Sequence, residues 1–171
     1  VSFALGALAM ALALGLGLSC GVVGAFFHNR PLDRLAMFAA LVGLSVPAFV
    51  LGPTLQLTLG LEFHWVDVAG WWHPFAPSPS GSWTLMILPA ITLSAIPAAT
   101  IARLTRSSLL EALKQDYVRT ALGKGLTRWQ AAIRHGLRNA LLPVVAYLGP
   151  AAAGVLMGSI VVEQVFNIPG L

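Results

Sequence analysis

The chain has 171 residues, 57% of them hydrophobic and only 9% charged, with a formal net charge of +4. A water-soluble domain carries about a quarter charged residues, so an ordinary soluble enzyme and a disordered chain are both excluded. A single cysteine, Cys20, excludes a disulfide framework and a cysteine-built zinc cluster.

Residues 1–29 contain no Asp, Glu, Lys or Arg, and the same holds for 35–61, 68–102 and 139–162. A helix crosses a hydrocarbon core of roughly 30 Å with about 20 apolar residues, so each run is long enough for one crossing. Backbone amides in lipid must be satisfied internally, and nothing in the chain alternates with the period of a barrel strand. The fold class expected is therefore an all-α integral membrane protein, a polytopic helical bundle.

In chain order, the first span is expected near 5–27, with Gly17 and Gly21 as a small-xxx-small pair for close helix approach. A secretory signal peptide is the competing reading of this stretch. It would open with Met and a basic region, and this chain opens Val1-Ser2-Phe3 without a charge. The missing Met is read as a start inside a longer chain. Arg30 and Arg34 lie in the connection that follows, and a second span is expected near 36–60, interrupted by Pro47 and Pro53. The loop 62–82 is expected on the outer face; Trp65, Trp71, Trp72 and the adjoining Trp83 suit a membrane interface, or the closing of an outer mouth. His64, Asp67 and His73 match no helical or turn-based ligand spacing, so no metal is expected. A third span is expected near 84–102, with Pro89 and Pro97 inside it, and a fourth near 141–162, with Gly154 and Gly158 as a second small pair. Glu163 then opens the tail, which leaves every span without an ionisable group and without a sign of ion coupling.

All ten Lys and Arg fall between spans one and two or between Arg103 and Arg138. Positive residues in short loops mark the cytoplasmic side, which puts both chain ends outside and the segment 103–140 inside an inner membrane. The basic charge is thus a topology signal, not a nucleic-acid footprint.

The segment 103–140 is expected to form two short amphipathic helices. Ser108-Leu-Leu-Glu111 has the pattern of a capping box, followed by an apolar stripe Leu109, Leu113, Tyr117, Ala121. Gly123-Lys124-Gly125 breaks that helix. A second capping box, Thr127-Arg-Trp-Gln130, opens the next, striped by Trp129, Ile133, Leu137 and Leu141 up to Pro143. Docking of a soluble partner accounts for two fixed caps and a sharp turn better than a helix pair resting on anionic headgroups. The segment is no nucleotide site, because Val118 and Gly125 stand where a P-loop needs Gly and Ser or Thr.

These residues resemble a known family. Asp116-Tyr-Val-Arg-Thr-Ala121 with Lys124-Gly125-Leu126, then Arg134-His-Gly-Leu-Arg-Asn-Ala-Leu-Leu-Pro143, is similar to the cytoplasmic loop of binding-protein-dependent ABC importer permeases, most of all their oligopeptide and dipeptide branch. Arg119-Thr120-Ala121 stands for that family's Glu-Ala-Ala, Gly125 for its glycine, and Ala140-x-Leu142-Pro143 for its ending. Ile101-Ala-Arg-Leu-Thr-Arg106, Tyr147-Leu-Gly-Pro150 and Gly158-Ser-Ile-Val-Val-Glu163, running into Phe166-x-x-Pro169-Gly170-Leu171, extend the likeness over about 85–171. Residues 1–84 share hydropathy and Ser45-Val-Pro47, and Gly123 departs from the branch, which more often has a larger residue there.

The resemblance implies a type I importer membrane domain of six spans. On it, residues 1–171 are a single permease domain in fragment, covering spans two to five. It implies transport of peptides or related small solutes by alternating access, with no reaction catalysed by this chain. It implies no cofactor bound here, ATP and Mg being held by partner ATPase subunits. The further partners implied are a second permease subunit, an extracytoplasmic solute-binding protein and membrane lipid. The residues implied for ATPase docking are Asp116, Tyr117, Arg119, Thr120, Ala121, Lys124, Gly125, Leu126, Arg128, Trp129 and Pro143. The expected pathway liners are Ser45, Pro47, Ser94, Pro97, Gly154 and Ser159. An ATP-independent channel or secondary carrier, its basic loop merely touching lipid, is the alternative. A membrane-embedded enzyme would want paired acids or a His-rich set at membrane depth, and the spans offer neither.

Overall fold

The computed structural model describes residues 2–65 and 84–168. Expected features at Asp67, Trp71, Trp72, His73, Trp83 and Pro169–Leu171 lie outside the described residues. Among the described residues every regular element is helical. Three helices are long and apolar enough to cross a membrane: α1 (Ser2–Phe26), α4 (Thr84–Ala112) and α8 (Leu142–Val165).

The second span is not one rod. Its first half is α2 (Pro31–Ser45) and its second half is α3 (Ala48–Leu55), which widens into a π-helical stretch, Gln56–Glu62, and the halves bend by 107°. The sequence explains the break. A proline pushes the residue before it out of the helical region, and Val46 and Pro47 are both extended, with ψ of 116° and 145°. Pro53 then removes a donor inside α3, and the chain answers with wider turns and two threonine hydroxyls, Thr54 and Thr58, bonded to carbonyls four residues back at 2.8 Å.

Helix α4 is the central element, and Pro89 and Pro97 lie inside it without ending it. Its closest partner is α1. A Cβ added at Gly17 would sit 2.8 Å from the Ala98 carbonyl, and one at Gly21 would sit 2.7 Å from the Ala102 carbonyl and 2.5 Å from the Thr105 Cβ. The expected small pair is therefore used here for backbone-to-backbone packing. Gly154, from the second such pair, has nothing within 4 Å of an added Cβ and faces open space instead.

Two expectations need correction. Ser108 does not begin a helix: α4 continues unbroken through it to Ala112, and the break comes at Leu113–Gln115. The continuing apolar register explains this, because Leu109 and Ala112 are buried against Ala25 and Ala140 and extend the packed face of α4 past the expected end of the span at 102. Secondly, helix α8 runs past the expected end of the fourth span at 162. Glu163 lies in the last turn of α8, only 4% exposed, and its Oε1 has no hydrogen-bond partner among the described residues. Val162 within α8 and Phe166 at its C-terminal cap are both core residues, and their burial keeps the last turn wound.

Candidate functional site: an inner-face hairpin and a cleft along the central helix

The segment after α4 folds as α5 (Asp116–Gly123), a turn, α6 (Arg128–Ala131), a π-helical turn Ala132–Gly136 and α7 (Leu137–Ala140), which leads directly into α8. The second expected capping box forms in full. The Thr127 hydroxyl accepts from the Gln130 N–H at 3.3 Å, and the Thr127 N–H donates to Gln130 Oε1 at 3.1 Å. Between α5 and α6 the chain turns at Gly125, whose φ of +90° is a conformation that side-chain-bearing residues rarely adopt.

A small apolar centre holds the hairpin: Val118, Ala121 and Ala131, with Leu113 and Leu126 against them. Around it the polar residues point to water. Asp116, Arg119, Thr120, Lys124 and Arg128 are exposed, and Arg119 Nη1 lies 3.8 Å from Asp116 Oδ1. The hairpin is fixed to the membrane helices at three places. Asn139 Nδ2 donates to the Tyr117 hydroxyl at 3.1 Å, tying α5 to α7. Trp129, though 57% exposed, sets its ring 4.3 Å from that of Phe26 at the inner end of α1. Gly136 lets the π-helical turn approach the Leu109 side chain, 3.3 Å from where a Cβ would be.

The expected stripe of the second helix is not its buried face. Trp129 and Ile133 are exposed, while Ala131, Ala132, Gly136 and Ala140 are buried. Small residues bring this helix close to α4, and the large ones are pushed outward. Pro143 lies in the first turn of α8, apart from the rest of the expected docking set.

A charge cluster that the sequence did not suggest locks the base of this assembly. Asp33, 3% exposed, accepts Arg106 Nε at 2.6 Å, Arg106 Nη2 at 2.7 Å and the Asn29 N–H at 2.9 Å. His28 Nδ1 lies 3.5 Å from Asp33 and 3.0 Å from Arg106 Nη2. A bidentate guanidinium–carboxylate pair is the strong form of ion pair, and here it joins the turn after α1 and the start of α2 to α4. Asp33 and Arg106 are 73 residues apart, and only the Pro31 helix start hinted that an acid at Asp33 belonged to a first turn.

Of the expected pathway residues, Pro97 and Gly154 line one cleft of about 260 Å³ between α4 and α8, together with Tyr147, Thr92 and Ala48. Ser94 and Ser159 are buried between helices, and their hydroxyls donate to carbonyls three residues back in their own helices, Ile91 and Leu156, at 2.9 and 2.8 Å. Ser45 and Pro47 stand at the break of the second span. A second cleft, of about 380 Å³, lies nearer the hairpin end of α4 and is lined by Met37, Thr100, Arg103, Leu104, Arg106 and Ser107. Tyr147 and Arg103 were not among the expected liners. The alternation of three and four residues along α4 from Leu93 to Ser107 was the signal that could have found Arg103.

Residues 13–171 match the family described as "Binding-protein-dependent transport system inner membrane component". The chain is 40% identical over all its 171 residues to the oligopeptide transport system permease protein OppB of Escherichia coli K12, of which it covers 54%. It is 42% identical over 171 residues to the dipeptide transport system permease protein DppB of Bacillus subtilis 168, covering 53% of it. It is 43% identical over 154 residues to the glutathione transport system permease protein GsiC of E. coli K12, with 90% of this chain and 47% of the relative covered. The chain thus spans about half the length of the curated relatives it matches. With its all-helical multi-pass architecture and a match over nearly its whole length, the chain belongs to the family of binding-protein-dependent transport system inner membrane components.

Proposed function

We propose that this chain is part of a permease subunit of a peptide-type ABC importer, moving peptides or related small solutes inward by alternating access. It makes and breaks no covalent bond and holds no cofactor. ATP and Mg are bound by separate ATPase subunits, and a second permease subunit, an extracytoplasmic solute-binding protein and membrane lipid complete the working assembly. The observation that carries this reading is the α5–α6 hairpin, a capped element with a polar outer surface on the inner face. An element that only rested on lipid would have no use for a fixed turn at Gly125 or for exposed Asp116 beside Arg119.

In this reading the hairpin seats in a groove of the ATPase, with Arg119, Lys124 and Arg128 outermost. Closure of the ATPases on ATP then moves the hairpin as one piece. The movement passes to α1 through Trp129 and Phe26, to α4 through Gly136 and Leu109, and to α8 directly through α7. The broken second span lets the two ends move unequally. Its inner half follows α4 through Asp33 and Arg106, and its outer half follows α8, where an added Cβ at Gly52 would sit 3.0 Å from Phe166. The turn at Val46–Pro47 takes up the difference.

The test is the full-length permease carrying Gly125→Glu. The structure leaves space around Gly125 but places it at φ +90°, so the variant is expected to insert in the membrane and to lose its ATPase on co-purification. Normal amounts of ATPase on that variant would sink the docking reading. Flux of solute through the permease with no ATPase present would favour the channel or carrier instead.

A further inference from the structure

The two clefts share one face of α4. Leu93, Ile96 and Pro97 line the first, and Thr100, Arg103, Leu104 and Ser107 line the second. These positions recur every three or four residues, which in a helix is a single stripe. The clefts therefore follow one another along α4, and we take them together as a track. It runs from the small-residue groove beside Gly154 and Tyr147 to the inner face, flanked by Ala48 of α3 above and Met37 of α2 below.

Among the described residues no acidic side chain lines either cleft, and the only bases are Arg103 and Arg106, both in the second cleft. Arg106 is already occupied, since Nε and Nη2 are held by Asp33. The two hydroxyls beside them have also committed their protons. Thr100 donates to the Ile96 carbonyl at 3.1 Å, and Ser107 to the carbonyls of Arg103 and Leu104 at 3.0 and 3.1 Å. Arg103 is exposed and makes no ion pair among the described residues. The inner end of the track thus presents one uncommitted guanidinium, a planar set of donors shaped to hold a carboxylate by two hydrogen bonds.

Resting on the peptide-importer reading above, we infer that Arg103 is a subsite for the C-terminal carboxylate of the peptide as it leaves the track. A peptide has one such group at a fixed end, so a lone cation at the exit favours a free carboxylate over a neutral amide. An anionic lipid headgroup would find the same charge. It is disfavoured because the exposed apolar row of α2, Leu35, Phe38 and Val42, lies on the side of that helix opposite Asp33 and Ala40, away from Met37, which lines the cleft with Arg103.

The experiment reconstitutes the full-length permease with its partner permease, ATPases and binding protein in vesicles. It compares ATP-driven uptake of one tetrapeptide in two forms, free acid and C-terminal amide, for wild type, Arg103→Gln and Arg103→Lys. Selection by the binding protein is the same in all three, so it cancels from the comparison of acid-to-amide ratios. Arg103→Gln is expected to lower that ratio about tenfold, the loss of one charge-assisted contact, with Arg103→Lys in between. An unchanged ratio, or an equal fall for both peptides, overturns the subsite. Loss of co-purifying anionic phospholipid from Arg103→Gln at an unchanged uptake ratio overturns it in favour of a lipid site. Failure of wild type to move either peptide instead overturns the peptide reading, and the subsite falls with it.

Discussion

The seam between α1 and α4 and the hairpin α5–α6 are held by opposite means. The seam has almost no side chain between its backbones: Gly17 and Gly21 leave under 3 Å between an added Cβ and the carbonyls of Ala98 and Ala102. The hairpin has three buried apolar residues of small size, one reciprocal cap and an outer surface open to water. A contact made through backbone cannot adjust, so the seam keeps α1 and α4 together as one body. A contact made through a cap and an exposed polar surface leaves most of its side chains free for something else. In this molecule the closest backbone packing lies between the long apolar helices, and the open polar surface lies on the hairpin.

The difference is open to attack at several points, with effects expected to fall in the order given. Gly21→Leu inserts a side chain where the Ala102 carbonyl and Thr105 already stand, and a destabilisation of about 3 kcal/mol or more is expected. Thermal unfolding of the full-length protein in detergent reads it, and a wild-type midpoint would show that the seam can yield. Asp33→Ala leaves Arg106 half-buried without its carboxylate and should cost about 3 kcal/mol. The reversed pair Asp33→Arg with Arg106→Asp distinguishes a general charge link from this particular bidentate geometry, which the reversal is not expected to restore.

Thr127→Ala removes only the hairpin's cap and should cost about 1 kcal/mol, seen as faster backbone hydrogen exchange at α6 with an unchanged global midpoint. A loss as large as that at Gly21 would erase the distinction between the two regions. Smallest of all, Thr105→Val removes a buried hydroxyl that has no partner among the described residues, and should be neutral or raise stability by up to about 1 kcal/mol. A clear loss there would mean that the hydroxyl is bonded in the assembled transporter.

The same contrast governs what could be read in advance. Charge-free runs located α1, α4 and α8 because burying a charge in lipid is costly and its absence is conspicuous. The Thr127–Gln130 cap was legible because it is made within four residues. Ser108–Glu111 has the same pattern and forms no cap. Burial of Leu109 and Ala112 against α1 and α7 carries α4 straight through it, so a tertiary contact overrode a local signal. In α6 and α7 the sequence periodicity marked Trp129 and Ile133 as the inner face. Close approach to α4 selected the small residues instead, since only Ala and Gly fit there.

The sequence by itself determined the all-helical class, the three long apolar helices and the capped turn that opens α6, because each follows from local composition or from spacing within a few residues. Only the tertiary structure decided that Asp33 meets Arg106, that the second span is two pieces bent by 107°, that Glu163 is buried and that Arg103 lines a cleft beside the Asp33–Arg106 pair. Each of these depends on which helix lies beside which. In a membrane, where every span is about equally apolar, hydrophobic pattern does not choose a neighbour. Glycines, prolines and a few paired charges do, and their partners are set by geometry across dozens of residues.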